Sequence, residues 1–78
     1  MTTLQPLKAR EVIRALERAG FEQKRQTGSH VIMYKPGSPR PVPVPLHGKD
    51  IRVSLLRRII SQAGMTVEEF QEYAGCYP

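Results

Sequence analysis

Two histidines carry most of the chemistry this sequence could perform. His30 closes the run Gly28-Ser29-His30, and His47 sits in Leu46-His47-Gly48-Lys49. Histidine is the side chain that gives and takes protons near neutrality, which suits general acid or base work. Around His30, Gly28 permits close approach of a phosphate, Ser29 supplies a hydroxyl donor, and Lys24 and Arg25 stand on the preceding segment. His47 reads either as a solvated loop residue or as a second proton-transfer group or phosphate contact beside Lys49.

Other chemistries find less support. A catalytic metal needs His, Cys or carboxylates at ligand spacing, and only four acids, Glu11, Glu17, Glu22 and Asp50, precede the C-terminal tail. Only Asp50, near His47, comes close to such a grouping, so neither a metal nor any other cofactor is expected. The six glycines are scattered, which argues against a phosphate-cradling loop. Cys76, the single cysteine, cannot form an intramolecular disulfide and reads as an incidental thiol.

RNA cleavage needs neither metal nor enclosed pocket, because the substrate carries its own nucleophile. A base removes the proton of the 2′-hydroxyl, the oxygen attacks the adjacent phosphate, and a nearby Lys or Arg stabilises the developing charge. DNA lacks that hydroxyl, so this chemistry selects RNA.

The charge pattern points the same way. All twelve Lys and Arg residues lie at or before Arg58, where they outweigh four acids for a net of +8, and the remaining tail holds Glu68, Glu69 and Glu72 for −3. A basic body suits a polyanion. Arg10, Arg14 and Arg18 form a stripe along one helix face, which reads as a solvated face or as a track for an RNA backbone; Arg52, Arg57 and Arg58 read alike.

The elements that must position these residues follow from periodicity. Ala9, Val12, Ile13, Leu16 and Ala19 have the spacing of one buried helical face, and Gly20 stops that helix. Phe21 to Thr27 and His30 to Lys35 read as two strands joined at Gly28. After the turn Pro36-Gly37-Ser38-Pro39-Arg40, the alternation of Val42, Val44 and Leu46 marks a third strand. Its prolines, Pro41, Pro43 and Pro45, share one parity and remove amide donors from one side only. It is therefore expected at a sheet edge, bonded inward through Val42 and Val44.

A second helix runs from Val53 to Ala63, with Leu55, Leu56, Ile59, Ile60 and Ala63 on one face and Gly64 as its stop. Thr66 and Glu69 have the spacing of a capping box for a short helix of about residues 67–74. The expectation is one α+β domain over residues 1–78, its core about 6–70: a three-stranded antiparallel meander with both main helices on one face. Ile32 and Tyr34 alternate with Val31 and Met33, so both sheet faces are partly apolar, through ordinary packing or as a docking surface for a partner. No apolar run is long enough for a membrane span and the start lacks a leader's apolar core, so a cytoplasmic location is expected.

In order and spacing, Arg10-Glu11-Val12-Ile13 through Gly20-Phe21, then Gly28-Ser29-His30, Val44-Pro45-Leu46-His47, and Leu55 through Ala63-Gly64, resemble the HicA family. HicA is the toxin half of the HicA and HicB pairs of type II toxin-antitoxin systems, and the resemblance covers roughly Pro6 to Phe70. It implies a fold like a double-stranded-RNA-binding domain, endoribonuclease cleavage of mRNA that arrests translation, and neutralisation by a HicB-like antitoxin. The family's catalytic histidine falls on His30, and the partly apolar second strand becomes a place for the antitoxin to dock. Two positions depart from the pattern: Thr27 stands where many relatives carry Lys or Arg, and Val53-Ser54 where Gly followed by Thr or Ser is common. The alternative, from the same charge and topology, is a non-catalytic RNA-binding module of that fold. It ranks second because Arg52-Val53-Ser54 is a poor match to the Lys-rich start of such a module's last helix.

Overall fold

The computed structural model describes residues 4–37, 40–46 and 50–74. The chain runs α1 (Ala9–Arg18), β1 (Glu22–Thr27), β2 (His30–Tyr34), β3 (Val42–Pro45), α2 (Val53–Gln62) and α3 (Val67–Ala74). The strands form one antiparallel sheet in the order β1-β2-β3. This is the expected α+β sandwich, in the arrangement of a double-stranded-RNA-binding domain.

Both main helices end the same way, for the same reason. Ala19-Gly20-Phe21 and Ala63-Gly64-Met65 place glycine at φ 106° and 76°, where a side chain would be strained. After α1 the Gly20 amide donates to the Glu17 carbonyl and the Phe21 amide to the Leu16 carbonyl; after α2 Gly64 donates to Ser61 and Met65 to Ile60. Each is a Schellman closure that satisfies the last carbonyls and sends an apolar residue back onto the core. Phe21 is accordingly buried.

The core lies between sheet and helices. Val12, Leu16, Met33, Val42, Val44, Leu56, Ile59 and Phe70 are all at or below 1% exposed, and no charged or polar side chain is buried among the described residues. On β2, Val31 and Met33 face this core while His30, Ile32 and Tyr34 face the other way. Ile32 and Tyr34 are only half-buried, so the open face of the sheet is part apolar.

β3 pairs with β2 alone, with Val44 opposite Val31 and Val42 opposite Met33. Leu46 continues the even-numbered series by donating its amide to the Ser29 carbonyl. The odd-numbered prolines therefore turn toward the outer edge, which has no amide to offer. A bridge between Leu7 and Ile51, with amide to carbonyl distances of 3.2 and 2.7 Å, ties the entry to α1 to the approach to α2.

α3 is the expected capped helix. The Glu69 amide lies 3.1 Å from Thr66 Oγ1, and the Thr66 amide 2.9 Å from Glu69 Oε1, so each residue satisfies an amide of the other. Its Phe70 fills the core, and the Arg18 guanidinium donates to the Tyr73 carbonyl at 2.9 Å, fastening α3 to the end of α1. That bond gives the exposed Arg18 a structural tie as well as its place on the stripe along α1.

Candidate active site

His30 is the first residue of β2 and is exposed to solvent. It follows a two-residue turn that pairs Thr27 with His30. Gly28 has φ 54° and Ser29 has no positive φ, the glycine-first pattern of a type II′ hairpin, whose twist matches that of its strands. A Cβ on Gly28 would meet nothing within 4 Å, so the requirement for glycine is one of torsion, and the space above the turn is open. The bond from the Leu46 amide to the Ser29 carbonyl holds the turn against the end of β3. His30 is thus fixed between Thr27 on one side and Pro45 on the other.

A bulge in β1 assembles the cations. Gln23 pairs with Met33 and Arg25 with Ile32, leaving Lys24 as an extra residue with no partner. In a regular strand neighbouring side chains point to opposite faces, so Lys24 and Arg25 would be divided between the layers. Here Arg25 stands opposite Ile32 on the open face, and Lys24 Nζ lies 5.3 Å from the centroid of the Tyr34 ring on that same face. Both cations therefore share a surface with His30. Arg25 is two residue pairs from the histidine along the ladder, its diagonal neighbour on the same face at roughly 7 to 8 Å.

α2 passes the outer edge of β3 and closes a cleft of about 290 Å3. One wall is His30, Pro43 and Pro45, and the other is Leu55, Arg58 and Gln62. Arg58 is thereby placed at the same opening as the imidazole. Sequence reasoning grouped it only with the general cations of the second helix. The signal that could have found it is the spacing of Leu55, Arg58 and Gln62, which lines one side of a helix beside a strand whose prolines cannot pair outward.

Among the described residues the His30 ring has no hydrogen-bond or ion-pair partner. No carboxylate orients it, and the nearest acid on its face by register is Glu22, opposite Tyr34 at the far end of the hairpin. An exposed imidazole beside Arg58, with Arg25 on its face and Lys24 farther along that face at Tyr34, can accept a proton from a ribose hydroxyl while the cations hold the phosphates of a polyanion.

The remaining sequence candidates divide. Ser29 and Gly28 belong to the turn that carries His30. Arg10 and Arg14 are exposed on α1, on the side away from its buried Val12, Ile13 and Leu16, and so lie across the sheet from His30. The structure does not bring them to the cleft. His47 and Lys49 lie outside the described residues. No group of three His, Cys, Asp or Glu side chains that could hold a metal ion occurs among the described residues, and no helix there is long and apolar enough to cross a membrane.

No curated protein matches the chain. A family model described as the HicA toxin of bacterial toxin-antitoxin systems matches residues 9–65. The match begins at the first residue of α1 and ends at Met65, the residue that closes α2, leaving α3 outside.

Proposed function

The chain belongs to the HicA toxin family of toxin-antitoxin systems, and on that premise we propose that it is a metal-independent endoribonuclease that cleaves mRNA with His30 as its general base. Membership implies an antitoxin partner in general; the finer reading is a HicB-like protein that docks on the open sheet face, where Ile32 and Tyr34 remain half-buried beside His30. The observation that carries the catalytic reading is the exposed imidazole at a rigid hairpin end, sharing its cleft with Arg58 and its face with Lys24 and Arg25.

In this reading His30 takes the proton of a ribose 2′-hydroxyl. The freed oxygen forms a bond to the adjacent phosphorus, the bond from phosphorus to the 5′-oxygen of the next nucleotide breaks, and that oxygen takes a proton from solvent or from His47. The products are a 2′,3′-cyclic phosphate and a free 5′-hydroxyl. Arg58 and Arg25 stabilise the charge that builds on the phosphoryl oxygens, while Lys24, at the Tyr34 end of the face, and Gly28, Ser29 and Lys49 make further phosphate contacts. Arg10 and Arg14, on the opposite layer, contact only an RNA long enough to reach around the domain.

The test is incubation of the purified protein with mRNA in excess chelator. Cleavage that persists with chelator, ends at a cyclic phosphate and is lost in His30→Ala supports the reading. Full activity in His30→Ala, or abolition by the chelator, overturns it. An exposed imidazole with no orienting partner among the described residues favours, as second reading, an RNA-binding module without catalysis, which the same experiment would show as binding with no product.

A further inference from the structure

The cleft at His30 does not stand alone. Leu55 and Arg58 also bound a depression of about 190 Å3 toward the start of α2, together with Ser54. At the other end Gln62 is shared with a larger depression of about 490 Å3 between the end of α2 and the β2–β3 turn, where Lys35 and Arg40 stand. Each depression shares a residue with the next, so the three lie in series along α2, the central one against the outer edge of β3. A ten-residue helix spans about 15 Å.

The chemistry of this groove is uniform. Among the described residues none that line it is Asp or Glu, whereas His30, Arg58, Arg40 and Lys35 all do. Lys35 is exposed and steadied, its Nζ 5.8 Å from the centroid of the Phe21 ring. Between the cations Pro43 and the half-buried Leu55 present apolar surface over the buried Pro45 and Ile59, beside the Gln62 amide. The β3 edge offers no amide at its prolines, so a strand of another protein finds no ladder there.

We propose that this groove is a binding track for single-stranded RNA, deepening the nuclease reading by assigning its substrate form and a second phosphate site at Lys35 and Arg40, remote from His30. Cations spaced along an apolar floor suit a strand whose phosphates meet the rim while its unpaired bases lie against the floor. A duplex keeps its base faces stacked inside and cannot use such a floor. At roughly 3.4 Å per stacked nucleotide, the groove accommodates about four.

The test uses the full chain and a fluorescein-labelled 2′-O-methyl RNA decamer, whose blocked hydroxyl permits binding without cleavage, followed by fluorescence anisotropy. Lys35→Gln and Gln62→Glu are expected to weaken binding about fivefold each at low salt, with unchanged thermal unfolding. Lys35→Gln should also lower the slope of log affinity against log salt by about 0.7, one phosphate contact on a single strand. The matching duplex should bind more weakly. Wild-type affinity in both variants, a duplex that binds as tightly as the single strand, or displacement of the decamer by polyglutamate as readily as by unlabelled RNA overturns the track. Groove binding without any cleavage of natural RNA would overturn the nuclease reading and leave the track standing; cleavage with unaffected variants would do the reverse.

Discussion

At the scale of single residues, the site depends on one torsion angle. Gly28 holds φ 54°, which an alanine adopts only with strain, and the space around it is empty, so the cost of Gly28→Ala is conformational rather than steric. Gly28→Ala is expected to lower stability by about 1 to 2 kcal/mol and to reduce cleavage more than that loss explains, because it moves the ring of His30. Urea unfolding and initial rates on the same preparation check this. The turn and its histidine were legible because Gly-Ser between two strand-like runs has few other readings. Arg58 was less so, since its spacing with Leu55 and Gln62 marks one side of a helix without naming β3 as the neighbour at that cleft.

At the scale of elements, the helices and their ends were readable from local chemistry alone. The two Ala-Gly-apolar endings and the Thr66 and Glu69 box appear in the structure with the expected bonds. Thr66→Ala should cost about 1 kcal/mol, seen as a small fall in the unfolding midpoint with no change in RNA cleavage. The bulge was not readable, because Glu22 to Thr27 is polar throughout and gives no alternation from which a slipped register could be noticed. Deleting Lys24 should restore a regular ladder: the fold is expected to keep its stability, while the salt slope for RNA binding falls by about 0.7. A large loss of stability in that deletion would show that the bulge has a packing role instead.

At the scale of the whole molecule, a 78-residue chain has little stability in reserve, about 4 to 12 kcal/mol by the usual per-residue range. Phe70 is fully buried although it belongs to α3, outside the family match. Phe70→Ala is therefore expected to cost about 3 to 5 kcal/mol and to leave much of the protein unfolded at 37 °C, which circular dichroism would show. The sandwich was legible from element order, but the division of its cations was not. A helical stripe at Arg10 and Arg14 looks equivalent to Lys24 and Arg25 in sequence, and only the layering places the first pair behind the sheet and the second on the face that carries His30.

The two margins of the sheet are chemically unlike. Along β3 the prolines leave acceptors without donors, so addition of a further strand is blocked there; along β1 a partner could still be zipped on. Strand addition is thereby left to the β1 border, opposite the cleft beside β3. A protein captured edge to edge on β1 would ride along without plugging the groove, so on the proposed nuclease reading silencing requires a visitor that reaches over the sheet itself.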